Sequence, residues 1–417
     1  MTHHHHPDAA HPDAAHRVPS RRDMLRTLAG AGLVAAWPVS ARAAAQADAA
    51  GGRPGRILVV VELTGANDGL NTLVPYTDDA YYRLRPQIAV PARRVRRIDD
   101  RFGFNPGMAG FERLYKDGHM AIVHGCGYAQ PSFSHFTSAA YWHTGVPNGG
   151  EPHGWLGRVA DAIDPGLTPN FIVNIDERQS LAVRARRHVP VVFNDPDRFA
   201  RKGLHASRPL LDGALAPVAG QGATARYLDD VARSAREASA QVRAAWEAYR
   251  TPVDYGIISM DLPKVASMIS AGMPTRLYHV AYRHNAFDTH VQQTDLHQRL
   301  LTYVSDAVSG FVKDLQRIGR ADDVAVLVYS EFGRRPAENT SLGTDHGTAN
   351  HMYVVGTRVK GGHFGEAPSL TQLDETGNQR HTTDFRRVYA SLIEGWLGHA
   401  DSASLLYGRY ETLPLWA

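Results

Sequence analysis

The chain has 417 residues, 43% hydrophobic and 21% charged, a globular composition with enough apolar mass for a large core. A formal net charge of +3 with no basic stripe argues against a nucleic-acid partner, and the single cysteine, Cys126, excludes an internal disulfide framework. Stability must therefore come from the core, with Cys126 read as a small buried hydrophobe.

The N-terminus opens with His3 to His6 and a PDAAH repeat, both of low complexity. Ser20-Arg21-Arg22-Asp23-Met24-Leu25-Arg26 follows, then a weakly apolar segment from Thr27 to Val39, then small residues around Ala43 to Ala45. Paired arginines before a modest apolar stretch form the twin-arginine export pattern, and this stretch is too short and too Gly/Ala-rich for a transmembrane anchor. The expectation is a signal and low-complexity segment over 1–45, the twin-arginine translocase as transient partner, and an exported mature chain, periplasmic or secreted, forming one domain over 46–417. An Arg21→Lys, Arg22→Lys precursor should stay in the cytoplasm. Cell fractionation that finds its export unchanged overturns this reading.

Arg56 to Leu63 (RILVVVEL) is a continuous apolar run, the pattern of a strand buried on both faces. Such strands present function at their C-terminal ends, here Asn67, Asp68 and Asn71, although N-D-G is also plain turn chemistry. Phe111 to His124 reads as a short helix and a strand (MAIVH). In the loop beyond, Ser132, Ser134, Thr137 and Ser138 crowd a helix N-terminus. Ser134 or Thr137 there could cap the helix or act as a nucleophile at its positive end. No G-x-S-x-G elbow is present, which argues against an α/β-hydrolase esterase.

A helix starts near Gly154-Trp155, and Asn170 to Ile175 is a strand. Residues 189–250 read as an insertion with short hairpins to about 222, then a long amphipathic helix from Thr224 to Arg250. Thr275 to Val280 is a strand leading to Asp288 and His290, which lie two apart and so point the same way on extended backbone. Gln292 to Ile318 is a helix with Leu296, Leu300, Val304, Val308, Phe311 and Leu315 on one face. It leads into Val324 to Tyr329 (VAVLVY), a second fully apolar run ending in Ser330, Glu331, Gly333 and Arg334. The next loop carries Asp345, His346 and His351, then a strand from Met352 to Val355 and a capped helix from Thr383 to Gly398.

Asp68, Asp288, His290, Glu331, Asp345, His346 and His351 thus all fall at or after strand ends, where a parallel sheet gathers its loops. Carboxylates this numerous in one pocket call for a cation, and a carboxylate and imidazole set without thiolate suits Zn²⁺, Mn²⁺, Mg²⁺ or Ca²⁺. Asn67 or Arg334 could hold an anion beside it.

The ordered motifs E-L-T-G-A-N-D-G-L-N-T, S-F-S-H-F, G-W-L-G-R, F-D-T-H, S-E-F-G-R, T-D-H-G-x-x-N-H and T-D-F-R-R-V-Y resemble the DUF1501 family of exported bacterial proteins. That family is more distantly similar to the alkaline phosphatase and sulfatase superfamily, which implies an α/β three-layer α/β/α sandwich with a mostly parallel sheet and a binuclear metal site. By position the resemblance makes Asp68 a metal-bridging residue, Ser134 or Thr137 the nucleophile, Asp288 and His290 ligands of one metal, and Glu331 and His346 further ligands. Phe332 stands where the superfamily pairs a His with the preceding carboxylate, and no C-x-P-x-R follows the nucleophile strand, which argues against a formylglycine sulfatase. The resulting expectation is a metal-dependent hydrolase of phosphate or related anionic esters. The alternative is a binding or assembly protein on the same fold that keeps a degenerate metal site and takes another extracytoplasmic ligand.

Overall fold

The structure, a computed structural model, describes residues 55–199, 222 and 237–417. The expected export signal and most of the expected 189–250 insertion lie outside the described residues.

In chain order the strands are β1 (Ile57–Leu63), β2 (Leu73–Val74), β3 (Arg96–Arg97), β4 (Gly103–Phe104), β5 (Met120–Gly127), β6 (Ile172–Ile175), β7 (Val191–Phe193), β8 (Leu277–Tyr282), β9 (Val324–Tyr329), β10 (Asn350–Val355), β11 (Gly362–Phe364) and β12 (Thr383–Asp384). The main sheet runs β11-β5-β10-β9-β1-β8-β6-β7, with β12 also paired to β5, while β2, β4 and β3 form a small side sheet. The helices used below are α1 (Gly69–Thr72), α2 (Asp79–Leu84), α3 (Ala109–Lys116), α4 (His135–Thr144), α5 (Trp155–Ile163), α6 (Leu262–Ser270), α7 (Gln293–Arg317) and α8 (Arg386–Ser391).

Strands β1 and β9 are buried at every position, because helices cover both faces of the sheet. Val59, Val61, Val326 and Val328 pack with Phe111 of α3, Val265 of α6 and Leu300, Val304 and Phe311 of α7. The alternate residues Leu58, Val60, Ala325 and Leu327 pack with Trp142 of α4, Trp155 and Val159 of α5 and Val388 of α8. Each such side chain contributes about 1.5–3 kcal/mol by leaving water, so the two apolar layers fix which helix lies on which face. The result is the expected three-layer sandwich with a mostly parallel sheet.

Four details depart from the sequence reading. The runs in β5 and β9 share a direction but are not neighbours, because β10 inserts antiparallel between them. Val191–Phe193 joins the sheet edge in parallel with β6 instead of forming a hairpin, since its apolar residues gain more there than in a surface loop. Thr383–Asp384, expected to begin the last helix, pairs with β5 as a strand. Leu296 is 41% exposed, and the inward residues at that end of α7 are the polar Gln293 and His297. The first turns of α7 thus face a polar region instead of the core. Among the described residues no helix is long and apolar enough to cross a membrane.

Candidate metal centre at the strand ends

The chain leaves β1 through Gly65 at φ +105, where a Cβ would lie 2.6 Å from the Asn285 carbonyl oxygen and the Asp288 nitrogen. Glycine is needed there for both the backbone angle and the close approach. It lets the β1 loop lie against the β8 loop that carries Asp288. Arg334, from the loop after β9, ties the same loops together. Its Nε donates to the Ala66 oxygen at 2.7 Å, Nη1 to the Thr344 oxygen at 2.8 Å, and Nη2 to the Gly65 oxygen at 2.7 Å.

Asp288 is the meeting point. Its Oδ1 lies 2.6 Å from Arg334 Nη2, 3.0 Å from His290 Nε2 and 3.3 Å from His346 Nε2, and its Oδ2 lies 3.5 Å from His135 Nε2. The partners of each ring set the tautomers. His346 Nδ1 donates to the Phe133 carbonyl at 2.8 Å, and His135 Nδ1 donates to Glu331 Oε1 at 2.7 Å, so both Nε2 atoms present lone pairs. His290 faces Asp345 Oδ1 through Nδ1 at 3.4 Å and turns its Nε2 inward, 3.0 Å from His346 Nε2. Bare ring nitrogens at that separation repel unless a proton or a metal ion lies between them.

The electrostatics suit a ligand set. The hydrogen bond His135 donates to Glu331 raises the pKa of His135, making it a more basic ligand. Burial, helped by Arg334, lowers that of His346 and keeps its ring neutral at pH 7. Burial opposes the charge on Asp288, but the hydrogen bond and charge of Arg334 outweigh it and hold the carboxyl below the usual range. His135, Asp288 and His346 each offer one donor atom, and these atoms lie within 4.8 Å of one another. His135 Nε2 is moreover buried with no hydrogen-bond partner. The residues fit a divalent cation bound by imidazole and carboxylate.

Several expected site residues sit elsewhere or do something else. Glu331 is buried with Oε1 taken by Gly65 N–H at 2.8 Å and by His135, and Oε2 by the Ser330 hydroxyl at 2.9 Å, so both its oxygens are spent and it orients His135. Asp345 stands at the rim, its Oδ1 accepting from Asn339 Nδ2 at 3.0 Å. Asp68 is not a bridging ligand. It caps α1 and is fully buried against Arg85 Nη1 at 2.6 Å, with Gln293 Nε2 donating to the same Oδ2 at 2.5 Å. The carboxylate expected to need a metal has been given an arginine.

Asn67 is likewise spent internally, its Nδ2 donating to Thr72 Oγ1 at 3.0 Å and its Oδ1 meeting His297 Nε2 at 2.9 Å. Arg334 has a side chain with no exposed surface, so it neutralises Asp288 and is no anion clamp. His351 packs edge-on to His124, at 5.1 Å between centroids, and burial lowers its pKa to about 4; it is a neutral core residue. Ser134 is exposed and caps α4, its Oγ 3.5 Å from Thr137 N, while Thr137 lies in the first turn of that helix. His135 is the residue that sequence reasoning missed. It stood in the S-F-S-H-F motif between the hydroxyls singled out there.

Residues 56–406 match the family described as "Protein of unknown function (DUF1501)". The chain belongs to the DUF1501 family. No curated protein matches this DUF1501 chain. Solved structures similar to it include the C-terminal periplasmic domain of EcEptC from Escherichia coli in complex with Zn, at 11% identity over 74% of each chain and a TM-score of 0.37. A protein of the alkaline phosphatase superfamily from Vibrio parahaemolyticus matches at 10% identity over 78% of this chain and 67% of that one, TM-score 0.34. The phosphonate monoester hydrolase SpPMH from Silicibacter pomeroyi matches at 10% identity over 85% and 77%, TM-score 0.33. These likenesses are distant.

Proposed function

We propose that this DUF1501 chain is an exported hydrolase of phosphate or related anionic esters, dependent on a divalent cation held by His135, Asp288 and His346, with His290 beside them. The observation that carries the reading is the convergence of these imidazole nitrogens on one carboxylate, with the tautomers of His135 and His346 fixed from behind by Glu331 and the Phe133 carbonyl. A bound cation there would polarise an ester oxygen and offset the charge that develops on it. Glu331 holds His135 in register, Asp345 orients His290, and Arg334 keeps Asp288 ionised. Ser134 lies between Phe133 and His135, both wired to the cluster, so its hydroxyl is the attacking group we assign.

One observation favours a different reading. Arg85 and Arg334 already neutralise Asp68 and Asp288, which leaves room for a single cation where the superfamily resemblance implies two. A binding protein that retains one metal and performs no turnover would look the same.

Elemental analysis of the purified mature protein, followed by phosphatase, phosphodiesterase and sulfatase assays, separates the two. Bound metal with turnover supports the hydrolase, bound metal without turnover the binding protein. Protein that stays metal-free when supplied with Zn²⁺, Mn²⁺, Mg²⁺ and Ca²⁺ sinks the hydrolase and leaves a binding protein whose metal site is degenerate.

A further inference from the structure

Away from the Asp288 cluster, strand alternation places Leu58, Val60 and Glu62 of β1 on the face covered by α4 and α5. Glu62 is 3% exposed, a carboxylate at the end of an apolar run. Across the β1–β8 pairing, His279 stands opposite Val60 on the same face and is 1% exposed. The last turn of α4 contributes His143 from above. His143 Nε2 lies 2.9 Å and His279 Nε2 3.4 Å from the same oxygen, Glu62 Oε2, and the donor atoms of all three residues lie within 4.8 Å of one another. Ligand atoms of a tetrahedral ion stand roughly 3.3 Å apart when each is about 2.0–2.1 Å from the metal.

A buried Glu–His pair alone would be a satisfied ion pair, and it would account for His143. It accounts poorly for His279, whose Nε2 meets Glu62 Oε2 only at a long, poorly aligned 3.4 Å and whose Nδ1 is buried without a hydrogen-bond partner. A neutral imidazole buries one N–H and one lone pair, and leaving either poorly met is costly. A metal ion would engage the Nε2 lone pair and neutralise the buried carboxylate at once. Two imidazoles and one carboxylate are the donors that divalent transition metals of the Zn²⁺ class prefer.

We propose that Glu62, His143 and His279 form a second, buried metal site that binds a Zn²⁺-class ion and pins α4 to β1 and β8. The same helix begins at His135, so this ion would fix at one end the helix that delivers a ligand at the other. The site does not depend on the hydrolase reading.

The test is metal stoichiometry in full-length mature protein expressed with added Zn²⁺, comparing wild type, His346→Ala and Glu62→Gln. Two equivalents in wild type, with one retained by His346→Ala and one by Glu62→Gln, is the expected result. Metal-free His346→Ala overturns the proposal. A single equivalent that survives His346→Ala and disappears with Glu62→Gln supports it while removing the first site. Should Glu62→Gln fail to fold, anomalous scattering at the zinc edge from wild-type crystals decides. A peak between Glu62, His143 and His279 supports the site; its absence in crystals grown with Zn²⁺ overturns it.

Discussion

Asp288→Ala protein will bind no cation at the strand-end cluster and will lose hydrolytic turnover with it. The carboxylate is the one group that His135, His290, His346 and Arg334 all approach. Without it the imidazoles face the buried Arg334 charge directly, so any cation would meet net repulsion. The loss should exceed that of Glu331→Gln, which removes only an orienting partner and should weaken metal affinity roughly 10–100-fold. His346→Gln serves as a companion that leaves the Asp288–Arg334 pair intact. Calorimetric titration with Zn²⁺ and Mn²⁺ reads all three variants. Wild-type-like affinity in Asp288→Ala and His346→Gln would show that the convergence is a hydrogen-bond network and no metal centre.

Arg85→Met will destabilise the fold by about 3–5 kcal/mol, because it leaves Asp68 as an unpaired buried charge. Both side chains are almost fully out of water, at 0% and 1% exposure. Arg85 also donates from Nε to the Pro336 oxygen at 2.8 Å and from Nη2 to the Arg335 oxygen at 3.0 Å, so its loss strands acceptors in the loop behind the site. Urea unfolding should show the midpoint fall with little change in slope. Adding Asp68→Asn should restore part of the loss, since charge and countercharge then leave together.

The pair also sets a pH dependence. Burial works against the ionised form of Asp68, but the charge of Arg85 outweighs it and holds the pKa below the usual carboxylate value. A carboxyl depressed in the folded state contributes stability above its unfolded pKa, near 3.9, and loses it as pH falls through the folded value. The wild type should therefore keep this contribution across neutral pH. A difference between wild type and Arg85→Met that persists unchanged well below pH 4 would argue against the ion pair as its source.

Much of this architecture is legible in the chain because apolar runs are local. Ile57–Leu63 and Val324–Tyr329 declare themselves as doubly covered strands, and all but one of the residues placed on the inner face of α7 are buried. The exception, Leu296, shows the limit of periodicity: it gives the spacing of a face but not where the core stops and a polar site begins. Partner choice is harder to read. Arg85 carries no pattern that would link it to Asp68, so a carboxylate already satisfied looked like one awaiting a metal. His135 is the converse case, since a lone imidazole at a helix start has no periodicity, and its role rests on Glu331 from the distant loop after β9. Strand direction was hidden for the same reason, as nothing in N-H-M-Y-V-V says whether it runs with its neighbours or against them.

The insertion of β10 between β9 and β5 bears on how the molecule is made. Strand β5 is synthesised early, yet among the described residues every strand it pairs with, β10, β11 and β12, comes from the last part of the chain. An emerging nascent chain therefore holds β5 with its apolar residues and both edges open until the ribosome has passed Val355. High contact order of this kind slows folding and lengthens the exposure of an unpaired strand to aggregation. Translation speed over the final stretch of the message, and chaperone capacity during it, should then govern the yield of native protein more than anything in its N-terminal half.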